Sequence, residues 1–413
     1  MAQIFDVINY NAGAIIYLAH DLKSDFFFII KSGRVRTTIE YAPNHFKEEE
    51  LGEGDFFGVI GCLSCRPRLE TACALEPVSL MRIRRAHFTH LIRRNTGIIK
   101  KFLKFFSKRI RTHDLTILNT AFRETEGKQV DMFQLGASFY RKNKRGIAKH
   151  IFTIYCEQMT GRRLTETEEK NLQQARTVMQ KLKDVTIDKP EIINDRTRRI
   201  KADNVIFCEG ETGRDMYIIK SGKIGVYKIM GRDEMLLDVL HDGDIVGEMA
   251  LLDDLPRSAT AVTEADSEII MLDSTNFHSL ININVELVLR VFSVVCLRMW
   301  ASTRHIMNLN IQMREYRIFD FLWFYYIKER TSSDETQAYD YDFNMVDLMK
   351  MLGYPADEIQ SVRQVIMKEK IIDETPDHLQ LLSPLKLKSL VETFRKVYEN
   401  KTRQADEASR DKR

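Results

Sequence analysis

A chain of 413 residues with 44% hydrophobic and 29% charged side chains has the composition of a folded protein of about three domains, at ~150 residues per domain. Its net charge of +3 excludes a globally basic nucleic-acid coat, so any anion-binding surface must be local. No apolar run reaches the ~18 residues of a membrane span, and the start MAQIFDVINYNAG lacks a basic stretch followed by an apolar one, so a cytoplasmic protein with no membrane partner is expected. Six cysteines in so long a chain do not make a disulfide framework. Cys62 and Cys65 form one CxxC with Cys73 beyond it, but no second CxxC or HxxxH supplies four zinc ligands, so no metal is expected.

One internal repeat organises the chain. Ile29-Ile30-Lys31-Ser32-Gly33 recurs as Ile218-Ile219-Lys220-Ser221-Gly222, an offset of 189 residues. At the same offset Gly54-Asp55 matches Gly243-Asp244, Gly58 matches Gly247, and Pro67-Arg68 matches Pro256-Arg257. Thr71-Ala72 matches Thr260-Ala261, Phe88 matches Phe277 and Asn95 matches Asn284. Two copies of one domain are predicted, at roughly 10–115 and 200–303. In each, short apolar segments end at Ser-Gly, β-like stretches follow (34–40 and 223–229), and Gly-Asp turns punctuate, the pattern of a small β-barrel or sandwich.

In the first copy, Gly58–Ala72 carries Arg68 but has Val59 and Leu69 at positions where the second copy has Glu248 and Ser258. Glu70 stands two residues after Arg68, able to pair with it or to repel an anion. From Arg82 to His113 there are eleven Lys or Arg and no Asp or Glu, with Phe102, Phe105 and Phe106 interleaved. Two readings are open: a surface for nucleic acid or an acidic partner, or an amphipathic helix whose face of Ile99, Phe102, Phe106 and Ile110 packs inward. The second is preferred. Residues 128–190 read as polar helices. Leu135-Gly136, Phe139, Ala148 and Phe152 fall on the spacing of a single tetratricopeptide hairpin, hence a helical spacer.

The sharpest segment is Gly247-Glu248-Met249-Ala250-Leu251-Leu252-Asp253-Asp254-Leu255-Pro256-Arg257-Ser258-Ala259-Thr260-Ala261. Small residues let backbone N–H groups approach an anion, and a first helical turn presents free donors to it. Arg adds a forked permanent cation that fits two phosphate oxygens. A lone carboxylate accepts only, so it suits a sugar hydroxyl.

The segment resembles the phosphate-binding cassette of the cyclic-nucleotide-binding domain family, as in Crp/Fnr regulators and cyclic-nucleotide-dependent kinases. The resemblance implies that Arg257 grips the cyclic phosphate and Glu248 takes the ribose 2′-hydroxyl. It implies that Gly247 and the amides near Met249, Ala250 and Ser258, with the Ser258 hydroxyl, complete the cradle. The ligand is expected to be cAMP or cGMP, cAMP first. The first copy is expected not to bind, because a buried hydroxyl left unpaired costs ~1–3 kcal/mol.

The thirty residues beyond Asn284 contain no Gly or Pro. Leu289, Phe292, Cys296, Met299, Thr303, Ile306, Asn310 and Met313 follow a 3-4 spacing that reads as a coiled-coil seam, or as a helix packed on its own domain. The resemblance implies a homodimer helix here, with Ser302 and Thr303 touching the purine. Farther on, Met345–Tyr354 reads as a helix ending at a glycine turn, Pro355–Glu369 as a second helix, and Ile371–Leu382 as a hairpin. This order resembles the winged helix-turn-helix of Crp/Fnr regulators. Gln360, Ser361, Arg363 and Gln364 are the DNA-contact candidates. Asp357 and Glu358 repel phosphate, and residues 341–413 carry 13 basic against 13 acidic side chains, a weak footprint for DNA.

The expected class is α+β, with two β-roll (jelly-roll) cyclic-nucleotide-binding domains. The expected order is a degenerate copy at 1–115, a helical spacer at 116–195, and a competent copy at 196–282. A dimerisation helix at 283–316, a winged-helix-like domain at 317–398 and a charged tail at 399–413 complete it. The function read from this is a transcription regulator responsive to cyclic nucleotide. The alternative is a protein-interaction regulator whose winged helix does not bind DNA. No nucleophile–base constellation, HExxH or Walker loop suggests an enzyme.

Overall fold

Strand Val35–Ala42 shows the physics of the barrels in one line. Val35, Thr37, Ile39 and Tyr41 are buried, while the residues between them are half-buried or exposed, the period-2 alternation of a strand with one covered face. The computed structural model describes residues 5–410, apart from 23–24, 43–44, 95–101, 103–104, 107, 115, 118–119, 121–131, 231–232, 250–254, 274–284 and 330–335. The repeat anchors Asn95, Phe277 and Asn284, and Ile99 of the basic helix, lie outside the described residues. The chain forms two compact units: Met1–Glu124 together with Asn284–Arg413, and Thr125–Ile283.

The first unit opens with a barrel of eight strands: β1 Asp6–Tyr10, β2 Ile15–Tyr17, β3 Phe26–Ser32, β4 Val35–Ala42, β5 His45–Leu51, β6 Phe56–Phe57, β7 Thr71–Ala74 and β8 Val78–Arg84. They form two antiparallel sheets, β1-β8-β3-β6 and β2-β7-β4-β5, around Tyr17, Phe28, Ile30, Val35, Phe57 and Leu80. The short helix α1, Val59–Ser64, is buried throughout, and α2, Phe88–Arg94, follows the barrel. The described residues between 102 and 120 are helical. There Phe102, Phe106 and Ile110 are buried and Arg109 pairs with Glu49 at 3.1 Å, which is the amphipathic arrangement.

In the second unit, α3 Met132–Arg141, α4 Arg145–Met159 and α5 Glu166–Lys181 precede the second barrel. Its strands are β9 Glu191–Ile192, β10 Thr197–Ile200, β11 Val205–Phe207, β12 Asp215–Ser221, β13 Ile224–Met230, β14 Asp233–Leu240, β15 Ile245–Val246, β16 Thr260–Thr263 and β17 Ser267–Asp273. The sheets are β15-β12-β17-β10-β9 and β11-β16-β13-β14, the strand order of the first barrel with β9 added at one edge. Strands β3, β6, β7 and β8 map onto β12, β15, β16 and β17 residue for residue at the offset of 189. Upstream the offset becomes 190, because Tyr17 lies opposite Ala72 as Phe207 lies opposite Ala261.

The helices at 132–181 are more than a spacer. Leu135, Phe139, Ala148 and Phe152 share one apolar core with Cys208 and Val262 of the barrel. A Cβ on Gly136 would lie 2.8 Å from the Phe152 ring, so glycine permits that helix contact. Thr165 and Glu168 cap α5 reciprocally.

The long helix differs from the expected 283–316. Helix α6 spans Val285–Leu309 and ends where the Asn308 amide turns to the Arg317 carbonyl at 2.7 Å, so Asn310 and Met313 lie past it. Its seam is covered within the first unit. Phe292, Cys296, Met299 and Thr303 are buried, and the Phe292 ring meets Phe88 at 5.3 Å and Phe102 at 5.9 Å. This is the helix packed on its own chain, and the seam is not a face open to a second copy.

After α6 come α7 Arg314–Glu329, β18 Tyr339–Asp340, α8 Met345–Met351, a 3₁₀ turn Ala356–Glu358, α9 Ile359–Lys368, β19 Ile372–Glu374 and β20 Leu379–Leu381. The glycine turn is at Gly353, with φ 66°. The second helix begins at Ile359 rather than Pro355. The last helix, α10, runs unbroken over Pro384–Arg410, so no boundary falls at 399.

Candidate functional site

In the second barrel, Gly247 follows β15 with φ 81°, a left-handed conformation that glycine adopts without strain. A Cβ there would lie 2.6 Å from Arg257 Nη1. A Cβ on Gly213 would lie 2.9 Å from Arg257 Nη2. The guanidinium therefore rests between two glycines. It lies over the Phe207 ring at 4.3 Å and donates from Nη1 to the Gly247 carbonyl at 2.9 Å. Arg257 is buried, and among the described residues its Nε has no hydrogen-bond partner. Burial pulls its pKa down, with Tyr217, Asp215, Glu211 and Glu248 pulling the other way.

Glu248 is fully buried, Met249 is buried and Ser258 half-buried. Ala250, with residues 251–254, lies outside the described residues. Gly247, Glu248, Met249, Arg257 and Ser258 are thus in one barrel, held by the crossing of Arg257 N to Glu211 O and Gly210 N to Arg257 O, both 2.9 Å. A buried ion pair absent from the sequence reading supports them. Lys228 Nζ lies 3.1 Å from Glu209 Oε1 and donates to the Ser258 carbonyl at 2.8 Å, fixing that peptide. Chemically, a buried forked cation with an unused N–H invites an anion, and a neighbouring carboxylate invites a hydroxyl.

Gly213, Phe207, Lys228 and Glu209 were not singled out in the sequence. The repeat was the available signal for Phe207, since Tyr17 occupies the same place in the first barrel. The change of offset from 189 to 190 hid it.

The first barrel keeps the arginine. Arg68 is buried, lies 4.4 Å over the Tyr17 ring, and donates to the carbonyls of Gly58 and Phe26. Glu70 neither pairs with it directly nor stands open: it accepts the Tyr17 hydroxyl at 2.7 Å. Val59 and Leu69 are buried. The cavity between Gly58, Glu70, Met299 and Thr303 measures about 40 Å³, the room of one or two waters. Cys62 is buried, and burial pushes its thiol up to about 12.

Ser302 and Thr303, expected at the purine of the second barrel, belong to the other unit. Their hydroxyls donate to the Met299 carbonyl at 3.2 and 2.8 Å and lie 3.0 and 3.5 Å from His113 Nδ1. The DNA-contact candidates are also partly spent. Arg363 donates from Nε and Nη2 to both oxygens of Glu374 at 2.7 Å and from Nη1 to Gln360 at 3.2 Å. Arg314 donates to the Ser361 hydroxyl at 2.5 Å. Gln360, Ser361 and Gln364 are exposed.

A family model described as the cyclic nucleotide-binding domain matches residues 7–95 and 197–284. The chain therefore carries two domains of that class. Over 77 residues, 18% of the chain, it is 38% identical to the cyclic AMP receptor protein of Thermus thermophilus, covering 36% of that protein. Over 82 residues, 20% of the chain, it is 35% identical to Rap guanine nucleotide exchange factor 3 of Rattus norvegicus, covering 8% of it. Over 266 residues, 64% of the chain, it is 23% identical to the cAMP-dependent protein kinase regulatory subunit of Candida albicans, covering 41% of it. The matches thus span well under two thirds of these relatives. Among solved structures, a CRP/FNR-family transcriptional regulator of Thermus thermophilus aligns with TM-score 0.38 and 20% identity, over 48% of this chain and 98% of that one. The Toxoplasma gondii PKA regulatory domain with cAMP aligns with TM-score 0.21 and 16% identity, over 69% and 84%. The described residues hold no helix long and apolar enough to cross a membrane.

Proposed function

We propose that this chain is a cyclic-nucleotide-responsive regulator whose second barrel binds cAMP or cGMP and whose first barrel does not. The observation that carries the reading is the Arg257 guanidinium, buried between Gly213 and Gly247 over Phe207, in the same barrel as the buried Glu248. Arg257 takes the cyclic phosphate, Glu248 the ribose hydroxyl, and the backbone of Gly247, Met249, Ala250 and Ser258 the remaining oxygens. The reading that the first barrel does not bind is supported by its cavity of about 40 Å³ and by the Tyr17–Glu70 bond. A titration of the full chain with cAMP and with cGMP tests this. Saturable binding that Arg257→Ala removes supports it; binding unaffected by that change sinks it.

The output proposed is transcriptional: ligand in the second barrel biases α6, and through it the helix–turn–helix–hairpin elements at 345–381 that meet DNA with Gln360, Ser361 and Gln364. Differential affinity for two states of α6 is what such a shift requires. A homodimer, if this output uses one, has to form through a face other than the α6 seam. A second reading, regulation through a protein partner without DNA, is favoured by the Arg363–Glu374 fork, which holds the basic candidate of α9 within the chain. Binding to genomic DNA fragments across a salt series, with and without nucleotide, separates the two. Retention that weakens with salt supports DNA binding, and no retention at low salt in either condition supports the protein partner.

A further inference from the structure

Nucleotide binding leaves the CxxC of the first cassette unused. At the offset of 189 residues, Cys62 stands where the second copy has Leu251, and Cys65 where it has Asp254. The copy that lacks the cassette carboxylate and hydroxyl is thus the one with two thiols in its cassette. Cys62 is buried on α1, and Cys65 is exposed at the end of that helix. The Cys65 N–H closes the last turn of α1 onto the Gly61 carbonyl, so the two cysteines lie one helical turn apart. Helix geometry sets their Cα atoms about 5 Å from each other, inside the window of roughly 4.4–6.8 Å that a disulfide spans.

The two thiols differ in their surroundings. The guanidinium of Arg85, exposed just after β8, donates to the Cys65 sulfur. An exposed sulfur against a cation is the setting in which cysteine reacts. Burial pushes Cys62 up to about 12, so it keeps its proton and does not compete for the first step. The other four cysteines are half-buried or buried. Cys65 also heads a segment held by two other helices. Arg66 donates to the Cys65 carbonyl at 3.3 Å and to the Lys328 carbonyl of α7 at 2.7 Å, and Trp300 of α6 donates to Pro67.

We propose that Cys65 is a site of reversible oxidation by hydroperoxides and that Cys62 is its resolving thiol. The Cys65 sulfur attacks one peroxide oxygen, the O–O bond breaks, and the peroxide leaves as an alcohol or water. Sulfur is oxidised to the sulfenic acid and the peroxide is reduced. The Cys62 sulfur then attacks the Cys65 sulfur. The S–O bond breaks, the S–S bond forms, and the hydroxyl leaves as water with the Cys62 proton.

The full chain is treated with hydrogen peroxide, its remaining thiols are blocked, and its tryptic peptides are weighed. Cleavage after Lys47 and Arg68 gives one peptide that holds Cys62 and Cys65 and no other cysteine. That peptide is expected to lose two hydrogens before Cys73 or Cys156 is modified, and dithiothreitol should restore it. Cys65→Ser should leave Cys62 reduced at the same dose. Cys62→Ala should stop at the sulfenic acid, which dimedone captures. Arg85→Gln should slow the reaction about tenfold. If Cys62→Ala fails to fold, the wild-type peptide and Cys65→Ser carry the test. Oxidation of Cys65 no faster than that of Cys73, a wild-type product with no bond to Cys62, or an unchanged rate in Arg85→Gln would overturn the proposal.

Discussion

The indole Nε1 of Trp300 donates to the carbonyl oxygen of Pro67 at 3.0 Å, joining positions 233 residues apart. Pro67 precedes Arg68, the arginine of the first cassette. Helix α6, which follows the second barrel in sequence, is therefore fastened to the first. The apolar stripe that reads as an intermolecular seam is consumed inside the chain, against Phe88 and Phe102.

That arrangement predicts the behaviour of Phe292→Ala. Emptying a fully buried phenylalanine site costs about 3–5 kcal/mol. The drop in melting temperature should be the same at low and high protein concentration, because no subunit interface is lost. A drop that shrinks as concentration rises would return α6 to the role of a dimer seam.

Acid sensitivity should concentrate in the first unit. Burial, with Arg109 and Lys47 nearby, pulls His113 from 6.5 to about 4, and burial pulls His305 to about 4 although its Nε2 is within 2.7 Å of the Met351 carbonyl. The folded chain holds both rings neutral where the unfolded chain takes up protons. Their contribution is thus fully present above about pH 6.5 and is lost as pH falls toward about 4. The urea midpoint of this unit should be lower at about pH 5 than at about pH 7.5, and His113→Gln should narrow the difference. An equal midpoint at both pH values would contradict the burial of neutral histidine.

Lys228→Met should weaken nucleotide binding without unfolding the barrel only if Glu209 is changed with it. Alone, the substitution strands Glu209, and breaking one side of a buried pair costs about 3–5 kcal/mol. The pair Lys228→Met with Glu209→Gln should recover much of that stability, yet still lose affinity, since the Ser258 carbonyl has lost its 2.8 Å donor. Calorimetry and titration of the single and double variants check this. Full affinity in the double variant would make the pair a matter of folding alone.

The repeat made the barrels legible: a constant offset fixed which residues share a place, and four strands obey it without a slip. Gly247, Glu248 and Arg257 were legible for the same reason, as each sits at a turn or cassette position set by local chemistry. The destination of α6 was not. A stripe at 3-4 spacing records that a face is buried, not what buries it. Lys228 and Glu209 were hidden differently. They stand on separate strands, with Ile39 in place of the lysine in the first copy, so neither periodicity nor repeat marked them as partners. Arg363 looked available because Glu374, its partner, lies across a turn that sequence spacing does not close.

The most direct test is calorimetric titration of the full chain with cyclic AMP, repeated on Arg257→Ala and Arg68→Ala. One nucleotide per chain is predicted, with binding abolished by Arg257→Ala and retained by Arg68→Ala. At a ligand concentration ~100 times its dissociation constant, the wild-type second unit should gain ~2.7 kcal/mol and the Arg257→Ala chain nothing. Two equivalent sites per chain, or undiminished binding after Arg257→Ala, would contradict the assignment of the second barrel as the sensor.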